Sequence, residues 1–294
     1  MDRRAHPEEV VTLLATPELE APALVVHFDG WIDAGASAAA AMAHLLEALD
    51  PRPVARFDTE WFVDHRARRP TMHVVEGVNR GLDWPVLELV AARDDAGRDV
   101  LLLHGAEPDH NWRTFVEAVV GLARRFGVRE MFGLGAYPAA VPHTRPVRMS
   151  VTASDPDLAR GPYVNATLDV PAGMESALEE ALARTGIPTR GLWSQVPHYV
   201  ATAPYAPATL ALLVELGRLG ACEIDTSDLA QRAMVARRRL DQLVAEEPGH
   251  AELVAQLEQR YDETPAPDAE IPSSDELAAE VERWLREHDE GDTP

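Results

Sequence analysis

The stretch Ala23-Leu24-Val25-Val26-His27-Phe28, running into Asp29-Gly30-Trp31-Ile32-Asp33-Ala34-Gly35, decides the fold. An apolar, β-prone run ends abruptly in a turn rich in glycine and aspartate. An alanine-rich segment of helical character follows over about residues 36–49. Strand, tight loop and helix in that order is how an α/β fold builds a crevice at the carboxyl end of a strand. The pattern fixes a fold class and a face of the molecule; it names no reaction.

Outward from this stretch, strands and helices alternate. Residues 8–22 form a lead-in ending at Pro22, and residues 54–57 read as a short second strand. Residues 71–75 and 86–91 read as antiparallel neighbours joined through Gly77 to Trp84. Residues 99–105 make a strong buried strand. Residues 111–126 have helical spacing, with Trp112, Phe115, Val116, Val119 and Leu122 on one face and Gly127 as the stop. A strand over 130–135 leads into a turn-rich segment over 136–148, and 150–153 is again extended. An amphipathic helix over 174–184, a strand over 191–196 and a helix over 207–219 complete the alternation. This order predicts a three-layer αβα sandwich with a mixed, mostly parallel sheet.

From Thr226 the texture changes. Leu229, Met234, Leu240, Leu243 and Val244 are spaced for one helix and residues 251–261 for a second. Thr264-Pro265-Ala266-Pro267 breaks the chain, and Ser273-Ser274-Asp275-Glu276 opens a third helix with apolar Leu277, Val281, Trp284 and Leu285. The division expected is an α/β core over 1–224 and an acidic helical extension over 225–294.

Composition narrows the function classes. The chain has 294 residues and a formal charge of −22, which argues against a nucleic-acid partner, because phosphates are neutralised by basic residues. Residues 246–294 hold 16 acidic and 3 basic side chains, a net of −13, so over half of the charge lies in that segment. All 27 basic residues are arginine. A Schiff-base lysine and a phosphate-loop lysine are thereby excluded. A single cysteine, Cys222, excludes an intrachain disulfide framework and reads as packing rather than as a nucleophile. The apolar runs are too short to span a bilayer, and Met1 to Pro7 lacks a signal-peptide core; a soluble cytoplasmic protein is expected.

The candidate motifs each have a structural reading beside the chemical one. The loop over 29–35 could offer amides to an anion, but Asp29 and Asp33 suit turn and cap hydrogen bonds better. His104-Gly105-Ala106-Glu107-Pro108-Asp109-His110 holds metal-ligand types without zincin or calcium-loop spacing, so no metal is assigned. In Pro138-Ala139-Ala140-Val141-Pro142-His143-Thr144-Arg145-Pro146 the prolines keep the backbone out of helix and sheet and fix His143, Thr144 and Arg145. Arg145 could grip an anion, or pair with Asp29 or Asp33 in a structural arch. Ser194 and His198 lack the glycine-flanked serine elbow and an acidic orienter, so no triad is expected.

An ordered set of segments resembles the proteasome assembly chaperone family in its actinobacterial-type branch. The set comprises 28–35, Arg69-Pro70-Thr71, 103–112, Gly133-Leu134-Gly135, Val141-Pro142-His143-Thr144-Arg145-Pro146, Thr152-Ala153-Ser154-Asp155-Pro156, Leu192-Trp193 and Val196-Pro197-His198-Tyr199-Val200. It covers about residues 20–290. The resemblance implies a nucleoside-phosphorylase-like core, self-association as a homotrimer and a role in assembling proteasome core subunits. Some archaeal relatives end in a hydrophobic–tyrosine–any-residue tail that docks on the core particle; this chain ends Gly291-Asp292-Thr293-Pro294 and departs from it. Two functional readings follow. The first is a non-enzymatic interaction or assembly factor without a cofactor. The alternative is an enzyme or binder of a nucleoside- or phosphate-like ligand in the strand-end crevice, served by Asp29, Gly30, Asp33, His143, Arg145 and His198.

Overall fold

The structure, a computed structural model, describes residues 9–263; the third C-terminal helix expected from Ser273 and the chain end at 291–294 lie outside the described residues. In chain order the elements are β1 (Val11–Leu13), β2 (Ala23–Asp29), α1 (Ser37–Leu49), β3 (Arg52–Phe57), α2 (Thr59–Phe62), β4 (Thr71–Val75), β5 (Val78–Asp83), β6 (Leu87–Arg93) and β7 (Asp99–Ala106). They continue with α3 (Trp112–Arg125), β8 (Glu130–Ala139), β9 (Met149–Ala153), β10 (Tyr163–Val164), α4 (Met174–Arg184), β11 (Thr189–Pro197), α5 (Ala206–Arg218), α6 (Ser227–Glu246) and α7 (Pro248–Glu263).

Nine strands form one mixed sheet in the order β1-β3-β6-β7-β2-β8-β11-β9-β10. Its centre, β7-β2-β8-β11, is parallel, and β6 and β9 flank that centre in antiparallel pairing. The central strands are buried on both faces, which is why β2 reads as an unbroken apolar run rather than an alternating one. Leu24, Val26 and Phe28 point to the layer of α3 and α4, where Phe115, Val119, Leu178 and Leu182 complete one core. Ala23 and Val25 point to the opposite layer, where Ala38, Ala41 and Leu45 of α1 and Leu212 and Leu216 of α5 complete the other. The three-layer αβα architecture is as expected. Phe115 ties α3 to the sheet and to α2, with its ring centroid 4.7 Å from Phe57 and 5.3 Å from Phe62.

Two details differ from the sequence reading. Thr71–Val75 does not pair with the strand over 86–91. It forms a separate two-stranded sheet with β5, while β6 enters the main sheet between β3 and β7. The cause is the turn at Glu76 and Gly77, whose φ values of 50° and 80° close a two-residue hairpin that turns the chain back at once. The turn-rich segment also starts later than residue 136, because β8 runs to Ala139 and carries Pro138 in register with Val196. Along β8, pairing with β2 stops at Gly133 and only an isolated bridge from Ala136 to Asp33 follows, so the absent N–H of Pro138 leaves no ladder bond unmade on that side.

Beyond the core, α6 lays Leu229 and Ala233 inward and sends Leu240 onto a small apolar cluster of Ala34, Ala136, Val196, Tyr205 and Ala208. Among the described residues no helix is long and apolar enough to cross a membrane.

Candidate functional site

The central crevice opens where β2 and β8 part. They pair from Ala23 with Glu130 to Val26 with Gly133 and then separate; the chain beyond β2 returns to β8 at an isolated bridge between Asp33 and Ala136. His27 fills the gap. Its Nδ1 lies 3.0 Å from the carbonyl oxygen of Leu134 and 3.5 Å from Glu175 Oε1. A carbonyl only accepts, so Nδ1 carries a hydrogen and the neutral ring presents Nε2 as an acceptor. Burial opposes the charged ring, but the hydrogen bond and charge of Glu175 outweigh it and hold the His27 pKa above its ordinary value. Its Nε2 is buried without a hydrogen-bond partner.

Helix α4 supplies the facing wall. Its sequence reads as an amphipathic helix, and Glu175 and Glu179 lie against the sheet rather than in solvent. The reason is on β8 and β11: Gly133 stands opposite Gly191 in the ladder. A side chain at Gly133 would crowd Glu175, and one at Gly191 would collide with Glu179 and Thr152. The missing Cβ atoms make the trough in which the carboxylates lie. Glu175 accepts from the Phe28 N–H at 3.3 Å, and Glu179 from the Thr152 hydroxyl at 3.1 Å. Burial, with the nearby Glu175 charge adding to it, pushes the Glu179 pKa up to about 7. Glu107, itself buried, accepts from the Met174 N–H at 2.8 Å, which places a carboxylate on the first turn of α4.

These residues, with Trp31, Ile32, Phe28 and Trp193, line a narrow cleft of about 10 Å³, room for roughly one water. Trp193 lies over Gly135, where any Cβ would strike its ring. Glu107 and Glu175 line the cleft and no arginine does, so the lining repels phosphate.

The sequence-predicted site residues fall into separate places. Asp29 stands at the end of β2 with its side chain 71% exposed, 3.9 Å from His27 Nε2. Gly30 has φ of 131°, a strained value for any other residue, and lies against the Arg68 guanidinium. Asp33 accepts from the Ala38 and Ala39 N–H groups at 2.8 and 2.9 Å, occupying the amino end of α1 where an anion would otherwise sit. His143 and His198 flank the Tyr199 ring at 5.9 and 5.4 Å between centroids. The Tyr199 hydroxyl accepts from the His143 backbone N–H at 2.8 Å and contacts Nδ1 at 2.7 Å, while Nε2 lies 3.2 Å from Asp241 of α6. Burial outweighs the pull of Asp241 and holds the His143 pKa below its ordinary value. His198 Nδ1 lies 3.4 Å from the carbonyl of Ala139.

Arg145 pairs with neither Asp29 nor Asp33. It forks onto Asp262 of α7 at 2.8 and 2.6 Å and reaches Glu258 at 2.9 Å. Thr144 donates to the same Glu258, Arg237 of α6 donates to the Thr144 carbonyl at 2.7 Å, and the Tyr261 hydroxyl donates to the Pro146 carbonyl at 3.0 Å. The loop over 142–146 is therefore the seat of α6 and α7. Sequence spacing could not find these partners, which lie about a hundred residues downstream.

The remaining motifs are accounted for by packing. Asp109 receives Arg68 at 2.7 Å and the Asp64 N–H at 2.8 Å. Among the described residues no group of three or more His, Cys, Asp or Glu side chains is placed to hold a metal. Burial drives the Cys222 thiol up to about 12, so it is protonated at neutral pH. Ser194 is buried with an unpartnered hydroxyl. Glu175, Glu179, Trp31 and Trp193 were absent from the sequence-predicted set. The cross-strand glycines Gly133 and Gly191 were their only signal.

Comparison with known proteins follows the fold. A protein of unknown function from Corynebacterium glutamicum superposes with a TM-score of 0.81 at 32% identity, covering 86% of this chain and 97% of that one. A proteasome-assembly chaperone homologue from Mycobacterium tuberculosis has a TM-score of 0.73 at 35% identity, over 79% of this chain and 99% of its own. A PAC2 family protein from Streptomyces avermitilis has a TM-score of 0.71 at 37% identity, over 79% and 99%. No curated protein matches the sequence. The profile of the PAC2 family matches residues 27–244, a span that holds the crevice, the loop over 142–146 and most of α6, and the chain belongs to that family.

Proposed function

We propose that this protein is a self-associating, non-enzymatic assembly factor of the cytoplasm, a homotrimer with proteasome core subunits among its partners. On this reading residues 1–224 are the α/β core and residues 225–294 an acidic extension. The observation that carries it is the β4–β5 hairpin. Every residue of both strands is exposed, including Met72, Val74, Val75, Val78 and Leu82, with Trp84 and Val86 exposed just beyond. A two-stranded sheet is marginal alone, and a contiguous exposed apolar patch marks a protein interface. The family supplies the kind of partner: one relative, from Mycobacterium tuberculosis, is a proteasome-assembly chaperone homologue. The internal satisfaction of Asp33, His143 and Arg145 agrees with a scaffold rather than with reactive machinery.

The test is sedimentation analysis of the wild type and of Val74→Asp with Val78→Asp, alongside co-purification with proteasome α and β core subunits. A wild-type trimer that dissociates in the folded variant, and retention of core subunits by the wild type, are expected. A monomeric wild type that retains no subunit, and whose unfolding temperature rises with a nucleoside or phosphate, would favour ligand chemistry instead.

A further inference from the structure

The apolar face of the β4–β5 hairpin needs a cover, and on the assembly reading, on which this rests, that cover is protein. Met72 pairs with Leu82 across the ribbon, and both are exposed. Thr71 pairs with Asp83, whose carboxylate lies 2.6 Å from His73 Nε2. Successive strand residues point to opposite faces, so one face carries the Met72–Leu82 pair with Val74 and the other carries this polar group. Glu76 lies in the turn. That leaves Arg80, two residues from Leu82 on β5, as the charge beside the apolar pair, and it has no ion pair among the described residues.

A second apolar surface lies at the carboxyl end of the sheet. Trp31 and Ile32, in the loop after β2, are 42% and 47% exposed. Residues 165–172, which lead into α4, are exposed throughout and include Leu168 and Val170. Gly173 lies against the Trp31 ring, so the two segments adjoin. Each brings an exposed carboxylate, Asp29 in one and Asp169 in the other. The rim is thus apolar with negative charge, and the hairpin face is apolar with a positive one. The base of the hairpin is fixed beside this rim, since Arg68 lies against Gly30 and His65 meets the Trp84 ring at 5.0 Å between centroids. Both surfaces are nevertheless exposed, so a copy does not cover its own rim with its own hairpin.

We propose that the hairpin of one copy lays its Met72–Leu82 face on the rim of Trp31, Ile32, Leu168 and Val170 of a second copy, with Arg80 meeting Asp29 and Asp169 there. Matched apolar surfaces supply the burial, and the opposite charges fix the register. One chain carries both halves of this contact, and the halves are different surfaces. Association is therefore head to tail, and a contact of that kind closes as a ring when its rotation allows. Hairpin against hairpin would leave the rim bare and offer Arg80 no carboxylate from the apolar face.

The experiment links Val74 of one copy to Val170 of another. Full-length Val74→Cys and Val170→Cys proteins are prepared singly and co-expressed, then treated with a flexible bismaleimide at neutral pH. The native Cys222 is buried with its thiol protonated and stays unreacted. A covalent dimer on denaturing gels from the co-expressed pair, and none from either variant alone, is expected. Arg80→Glu is expected to weaken self-association at least about tenfold in sedimentation, the scale of a like-charge clash at an interface, and adding Asp169→Arg to recover most of that loss. Arg80 and Asp169 are exposed, so these changes leave the core intact. An oligomeric wild type whose variants give no such link, a Val74→Cys protein that links to itself, a link to a core subunit in its place, or no recovery with Asp169→Arg would overturn this contact and leave the assembly reading standing. A wild type that sediments as a monomer would overturn both.

Discussion

Arg145 and Asp262 lie 117 residues apart in sequence and meet through two parallel hydrogen bonds, Nε to Oδ1 at 2.8 Å and Nη2 to Oδ2 at 2.6 Å. The fork lowers the Asp262 pKa and raises that of Arg145, each chiefly through the side-chain hydrogen bond between them. With Glu258 on the same guanidinium, this contact fixes α7 to the loop over 142–146. An arginine that sequence reading offered to a ligand is thus spent on carboxylates of α7.

Replacing Arg145 by methionine removes the fork and leaves two carboxylates unpaired. Hydrogen exchange is expected to quicken across α7 while the amides of β2 and β8 keep wild-type protection, since those strands belong to a different cooperative core. Equal protection of α7 in both proteins would show the contact to be dispensable.

Glu179 gives a stability effect with a definite sign. Its pKa is about 7 in the fold against an ordinary 4.5, so the folded state binds the proton more tightly than the unfolded chain. Stability is therefore expected to fall as pH rises from 4.5 towards 7 and to level off above that. Glu179→Gln keeps an acceptor for Thr152 and removes the ionisation, and at pH 8 it is expected to be more stable than wild type by up to roughly 3 kcal/mol. Denaturant melts at pH 5 and pH 8 measure the difference; a variant no more stable at pH 8 contradicts the buried-carboxyl account.

The two buried histidines shift in opposite directions. His27, facing Glu175, titrates above 6.5, and its contribution to stability is present at lower pH and lost as pH rises through its folded pKa. His143, where burial dominates, titrates below 6.5, so its contribution is present at higher pH and lost as pH falls through that value. Imidazole resonances followed across this range by NMR, assigned with His27→Gln and His143→Gln, should show His27 as the later of the two to lose its proton. The reverse order would remove Glu175 as the partner of His27.

Gly105 closes β7 at φ of 121°, and a Cβ there would collide with the backbone of Val86 and Leu87. Backbone cannot step aside as a flexible side chain can. Gly105→Ala is expected to destabilise by more than about 2 kcal/mol, combining the left-handed φ with the overlap. Thermal unfolding measures it. Gly97→Ala, where a Cβ meets nothing within 4 Å at φ of 78°, isolates the conformational part.

Much of the fold was legible from local pattern. Double-faced burial wrote β2 and β7 as apolar runs, and 3.6-residue spacing wrote α3 and α5. Asp33 was read as a capping aspartate and does cap α1. The hairpin at Glu76 and Gly77 was missed because β5, Val78-Asn79-Arg80-Gly81-Leu82-Asp83, holds asparagine, glycine and aspartate and so reads as a connection, and only hydrogen-bond pairing makes it a strand. Helix α4 was legible as amphipathic, but that Glu175 and Glu179 face the sheet was not, because it depends on what the sheet beneath them lacks.

The sequence by itself determined which segments become strands and helices and which ends carry glycine and capping residues, because those choices rest on spacing of a few residues and on backbone dihedrals. The tertiary structure alone decided which carboxylate meets which cation. Arg145 had acidic candidates throughout the chain, and Glu175 and Glu179 had water as an alternative. Pairing across a hundred residues and burial in a glycine-floored trough follow from where the layers stack, and short-range periodicity holds no record of that.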